Sequence, residues 1–226
     1  MRRSVLIVTL VIALPLFVAG AYYGPQLVAG YHFMSALEAT DAESQANGEP
    51  WPQIHDTCTL CHGSKGQSSN AQYAALAGQS ANYLEAQLHA FADGKRGSPL
   101  MHPLAAALTD AQISSLASYF SRQHPTTTEV GASDGYLAQS GRDLVGAKGC
   151  SGCHGANLEG GPLAPRIGGL GDRYLIDQIT AFKQGRRVDP TNAMNTLAAS
   201  LSDQEITTLV HFVASKKPTA GNTQSK

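Results

Sequence analysis

Aromatic residues are scarce in this 226-residue chain, at 7% with a single tryptophan, although apolar residues together reach 42%. Each core must therefore come from small aliphatic side chains or from something added, because a domain of roughly 80–90 residues is hard to stabilise by its own side chains alone. Net charge is small as well, at −1, which removes the argument for a nucleic-acid partner. No stretch sustains period-two alternation, so few or no strands are expected and the fold class is all-α. Cysteine is limited to four residues and methionine to four, and both small sets fall in a pattern.

All four cysteines lie in two copies of Cys-x-x-Cys-His: Cys58-Thr59-Leu60-Cys61-His62 and Cys150-Ser151-Gly152-Cys153-His154. On one helical turn, positions i and i+3 share a face and i+4 lies beside them. Two thiols so spaced can each form a thioether with a vinyl group of one haem, and the following imidazole then sits beneath the iron. This spacing is the signature of c-type haem attachment. A redox disulfide would need one motif in a βαβ setting, not two copies ending in His. A zinc site would want the pairs roughly 15–20 residues apart, whereas 88 residues separate Cys61 from Cys150. Two covalently attached haem c groups, each bringing iron, are the expected cofactors. They also supply the apolar bulk that the aromatics do not.

The amino terminus has its own pattern. Met1-Arg2-Arg3 precedes a run from Ser4 to Leu37 without a charged residue, most apolar from Val5 to Ala21. Ala19-Gly20-Ala21 fits a small-x-small cleavage site, yet apolar and aromatic residues continue through Tyr22, Tyr23, Leu27, Val28, Tyr31, Phe33 and Met34. The run exceeds the roughly 20 residues that span a bilayer, and Tyr22 and Tyr23 are placed like an interfacial belt. A retained hydrophobic anchor helix is preferred over a cleaved signal. Either way the positive-inside rule sends the remainder across the membrane. The expected location is the periplasm, with residues 5–24 tethering the chain to the inner membrane if they are kept. Glu38 to Pro50 reads as a polar linker or loose helix.

The rest is an internal repeat in which Cys150 follows Cys58 by 92 positions. After each haem motif comes a Gly-rich loop. A periodic segment follows, with Tyr83, Leu84, Leu88 and Phe91 on one face in the first half and Tyr174, Leu175, Ile179 and Phe182 in the second. These segments stop at Gly94 and Gly185. Closing helices are announced by capping boxes, Thr109 with Gln112 and Ser202 with Glu205. Their apolar stripes are Ile113, Leu116, Ala117, Phe120 and Ile206, Leu209, Val210, Val213. The expected organisation is a signal peptide or anchor at 1–24, a linker at 25–49, domains at 50–126 and 135–217, a linker at 127–134 and a polar tail at 218–226. The span from Glu38 to Val130 carries 9 acidic and 4 basic residues, and Gly131 to Lys226 carries 8 and 10. That asymmetry can orient docking.

Methionine supplies the expected sixth ligands. Met101 follows His62 by 39 residues and Met194 follows His154 by 40, each in a Pro-containing irregular stretch before the closing helix. A thioether favours ferrous iron and raises the potential relative to a second imidazole. His102 competes with Met101, but the second half has Asn195 there. His32, His55, His89, His124 and His211 read as surface or helix residues. The iron ligands are thus His62, Met101, His154 and Met194, and the haem-binding residues are these four with Cys58, Cys61, Cys150 and Cys153. No nucleophile–base pair or paired carboxylates accompany the motifs. Gly168-Gly169-Leu170-Gly171 lacks a preceding strand, which argues against nucleotide binding.

Over residues 50–215 the chain resembles the class I c-type cytochromes, specifically the tandem di-haem cytochrome c4 family. The paired motifs, the downstream methionines, Leu76-Ala77-Gly78-Gln79 and Ala164-Pro165-Arg166-Ile167-Gly168-Gly169 carry the likeness. It implies two tandem class I domains, a proline carbonyl (Pro165) bonded to the His154 ring, and an opening helix crossing each closing helix. Ala74 stands at the proline position of the first half, and Pro50-Trp51-Pro52 predicts a truncated or displaced opening helix there. The resemblance further implies an electron carrier, not an enzyme, with no small-molecule substrate. Its donor would be a quinol–cytochrome c reductase or a dehydrogenase, and its acceptor a terminal oxidase. The alternatives are a haem-bearing subunit of a membrane oxidoreductase and a di-haem redox enzyme with a displaceable axial ligand.

Overall fold

A computed structural model describes residues 20–25, 27–32, 34, 35, 38, 53–128, 135–161 and 164–218. The chain forms two compact units, 1–53 and 54–226. In the first, residues 20–25 and 27–32 are helical, and Tyr22, Tyr23, Leu27, Val28 and Tyr31 are exposed. The apolar run Val5–Ala21 lies outside the described residues except for its last two positions. No helix among the described residues is long and apolar enough to cross a membrane.

The second unit is helical, and its described residues include no strand. Its first half contains α1 (Thr59–His62), α2 (Ala81–Ala92), α3 (Met101–Ala106) and α4 (Asp110–Ser121). Its second half contains α5 (Gly135–Ala147), α6 (Ser151–His154), α7 (Asp172–Lys183), α8 (Ala193–Ala199) and α9 (Asp203–Ser215). Both capping boxes form, closing α4 and α9 at their first turns, where the side chain of Thr109 or Ser202 accepts the backbone N–H three residues on. Asp110 in α4 and Asp203 and Glu205 in α9 complement the positive end of the helix dipole. Helices α2 and α7 end alike, with Gly94 and Gly185 at φ near 70° and 69°. That left-handed conformation is cheap for glycine and lets the chain fold back on the last turn. The N–H groups of Arg96 and Arg187 then reach the carbonyls of Ala90 and Ala181.

The expected stripes are the cores. Ile113, Leu116, Ala117 and Phe120 are buried in α4, and Ile206, Leu209, Val210 and Val213 in α9. Each such large side chain contributes roughly 1.5–3 kcal/mol of apolar burial. In the second half α5 crosses α9 at Gly141, where a Cβ would lie 2.4 Å from the Phe212 Cβ and 2.7 Å from the Thr208 oxygen. Only glycine admits that approach. Among the described residues of the first half, a 3-10 turn, Ile54–Cys58, packs against α4. Ile54 joins the core and the His55 ring stacks on Tyr119 at 3.6 Å between centroids.

The halves meet through residues that occupy matched positions 91 apart. The Arg96 guanidinium donates to Gln87, Tyr174 and Gln178, and that of Arg187 donates to Gln178, Tyr83 and Gln87, at 2.7–3.1 Å. Each arginine also lies over the phenyl ring of its own half, Phe91 or Phe182, and the two form an isolated antiparallel bridge. Such reciprocity is the mark of an approximate two-fold relation between repeats. Tyr83 and Tyr174, expected on apolar core faces, are thus polar partners at this junction. Thr128 straps the halves as well, donating from its N–H to Gly169 and from its hydroxyl to Ser68.

Candidate haem sites

Each Cys-x-x-Cys-His motif folds as the single helical turn its spacing predicts, with Cys58 and Cys150 at the N-caps of α1 and α6. Cys150 is buried, Cys58 half-buried, and Cys61 and Cys153 are exposed; no disulfide joins any of the four. Burial raises the pKa of Cys58 and Cys150. The described residues do not gather three or more His, Cys, Asp or Glu side chains around one point, as a zinc site requires. Two separate thiol pairs, each joined to its own imidazole, fit c-type haem attachment.

Both imidazoles are held by backbone. His62 Nδ1 bonds to the Ala74 carbonyl at 2.8 Å, and His154 Nδ1 to the Pro165 carbonyl at 2.8 Å. The second contact is the one expected for Pro165. The first shows that the carbonyl, not the proline ring, is what the geometry requires. A ring nitrogen that donates to a carbonyl fixes the tautomer and leaves Nε2 as the metal-facing lone pair. Burial pushes the pKa of His62 down, against the raising effect of the Ala74 carbonyl, and the Arg96 guanidinium lowers it further. Burial lowers His154 in the same way, opposed by the Pro165 carbonyl. Both rings are accordingly kept neutral, the form that binds iron.

The methionines sit differently from expectation in one respect. Met101 opens the short helix α3 and Met194 is the second residue of α8, so neither is in an irregular stretch. Their first turns are capped by polar side chains: Ser98 Oγ accepts the Met101 N–H at 3.1 Å, and Asp189 accepts that of Ala193 at 2.9 Å. Both methionines are half-buried. His102 Nδ1 bonds to the Phe91 carbonyl at 2.7 Å. Asn195 does the same in the second half, donating to the Phe182 carbonyl at 2.9 Å. Each side chain ties the methionine helix to the end of the preceding long helix. Of the other histidines, His32, His89 and His124 are exposed, and His55 and His211 are half-buried.

The sequence reading overlooked three kinds of residue beside these sites: Gln79, Arg166, and the Arg96/Arg187 set with its glutamines and tyrosines. The last was findable, because Gln87 and Gln178, like Arg96 and Arg187, recur at one offset. Arg166 carried no such sign, since its counterpart is Ala75.

Comparison with known proteins agrees with this geometry. The family model for cytochrome c matches residues 53–123 and 138–217. Cytochrome c4 of Pseudomonas aeruginosa is 33% identical over 69% of this chain and 82% of its own length. The thiosulfate dehydrogenase electron acceptor of Thiomonas intermedia is 33% identical over 71% and 78%. The crystal structure of reduced cytochrome c4 from Pseudomonas stutzeri aligns with a TM-score of 0.64 at 31% identity, covering 71% of this chain and 93% of that one. This chain belongs to the cytochrome c family as a tandem di-haem protein of the cytochrome c4 group, an electron-transfer protein and not an enzyme, with two covalently attached haem c groups as its cofactors.

Proposed function

We propose that this protein carries single electrons between partners of a periplasmic respiratory chain. Cys58 and Cys61 hold one haem and Cys150 and Cys153 the other. His62 with Met101 and His154 with Met194 are the axial ligands, and the iron supplies one-electron Fe(III)/Fe(II) chemistry at each site. The observation that carries the reading is the matched pair of 2.8 Å bonds from His62 and His154 Nδ1 to backbone carbonyls. They orient two neutral imidazoles in equivalent settings and make each a better donor. The capped first turns of α3 and α8 present a methionine from each half. With both axial positions filled, the chain leaves no iron position open to oxygen, peroxide or substrate.

The donor would be a quinol–cytochrome c reductase or a dehydrogenase, and the acceptor a terminal oxidase. A thiosulfate-oxidising enzyme is a specific second donor, favoured by the likeness to proteins named thiosulfate dehydrogenase electron acceptors. A tether through residues 5–24 would keep the carrier at the inner membrane. Denatured protein should carry the mass of two haems, and the reduced native protein should resist carbon monoxide. Carbon monoxide bound to the unmodified protein would move the reading to a redox enzyme with a displaceable ligand.

A further inference from the structure

Arg166 is the most deeply buried charged side chain among the described residues, with 1% of its surface exposed. Every hydrogen bond of its guanidinium goes to a backbone carbonyl. Nη1 donates to Gly168 at 2.7 Å, and Nη2 to Ala77 at 2.9 Å and to Ala75 at 3.5 Å. Ala77 and Gly168 are counterparts in the repeat, lying 91 positions apart. One cation therefore closes on the same carbonyl of both halves, and its own counterpart in the repeat is Ala75.

Among the described residues no carboxylate pairs with Arg166, and its Nε is buried without a hydrogen-bond partner from them. Burial lowers its pKa to about 10, so it remains protonated at neutral pH. The sign is unfavourable to folding. The depressed value means that the cation costs stability below about pH 10, and the cost is relieved only as pH rises from there toward the ordinary arginine range. A buried charge met by carbonyls and not by a carboxylate is a poor stabiliser. Its position suggests what it does instead.

The Arg166 N–H belongs to the same peptide group as the Pro165 carbonyl that holds His154. That N–H donates to Gln79 Oε1 of the first half at 3.0 Å, and Gln79 Nε2 donates back to the Arg166 carbonyl at 2.6 Å. On the other side, the Ala75 and Ala77 carbonyls that receive the guanidinium lie one and three residues after Ala74, whose carbonyl holds His62. The two imidazole clasps thus converge on one side chain. A fixed cation in a low-dielectric interior favours the iron state with less positive charge.

We propose that Arg166 is a positioning and tuning residue shared by both haem sites, its single cation raising the reduction potential of each iron through the two loops that clasp His62 and His154. The proposal rests on those histidines being axial ligands. The full-length di-haem protein would be titrated potentiometrically as wild type, Arg166→Met, Arg166→Lys and Gln79→Met, with denaturant unfolding measured in parallel. In Arg166→Met both midpoints should fall, with the ferrous-to-ferric ratio at fixed potential dropping about tenfold at each site, ~59 mV for a one-electron couple. Arg166→Lys, which keeps the charge, should stay near wild type. Gln79→Met, which breaks the clasp but keeps the charge, should unfold earlier with both midpoints retained.

Unchanged midpoints in Arg166→Met, or a fall at one site alone, would overturn the proposal. So would Gln79→Met lowering both as far as Arg166→Met, since junction integrity would then be the cause. If Arg166→Met does not accumulate, Arg166→Gln removes the charge while keeping donors to the carbonyls, and the same paired fall is expected. Failure of the axial reading is separately visible: the wild type itself would then lack a low-spin His/Met spectrum.

Discussion

His62 and His154 owe their neutral, oriented state to two carbonyls supplied by different residue types, Ala74 and Pro165. A proline in the sequence points to the contact in the second half, whereas any residue can offer the carbonyl, so the first half gave no such sign. His102 and Asn195 repeat the lesson with side chains: different groups reach the matching carbonyls of Phe91 and Phe182. His102→Asn should therefore leave stability and both potentials unchanged. His102→Ala should cost about 1 kcal/mol, the net worth of one hydrogen bond, while sparing the first potential. Denaturant unfolding and redox titration of both variants check this, and a large shift of one potential in His102→Asn would return His102 to the metal.

At the scale of elements, periodicity and capping residues made α4 and α9 legible, because their stripes face a core and their first turns are closed locally. The faces of α2 and α7 were only half legible. Leu84, Leu175 and Phe182 are buried as expected, but Tyr83 and Tyr174 turn their hydroxyls to the arginine opposite. A tyrosine at an apolar position satisfies the pattern whether it meets a core or a polar junction. The arginines share acceptors, since Gln87 and Gln178 each receive both guanidiniums. Arg96→Met and Arg187→Met should each cost roughly 2 kcal/mol. The double variant should cost less than their sum, because residues in one network couple. Strict additivity in denaturant unfolding would mean the two sites do not communicate.

For the whole molecule, the architecture and the cofactors are legible in the duplicated Cys-x-x-Cys-His pattern. The junction was not readable in the same way: a contact between Arg166 and Ala77 spans 89 residues, and nothing local in either segment requires it. Pro50-Trp51-Pro52 already set the two openings apart: among the described residues the first half begins its core with the turn Ile54–Cys58, and the second half uses α5 and Gly141. Two electron sites in nearly equivalent cradles, joined through buried arginines, make a carrier whose two irons need not be identical.

The central claim is that each iron is gripped by a histidine from one half-site and a methionine from the other side. The most direct measurement is the sulfur-to-iron charge-transfer band at the red end of the oxidised spectrum, followed in Met101→Ala and Met194→Ala. The account predicts that each substitution removes about half of the band, lowers one of the two potentials as the thioether is lost, and leaves the other site as it was. A band that survives intact in either single variant, or that is missing from the oxidised wild type, would contradict it.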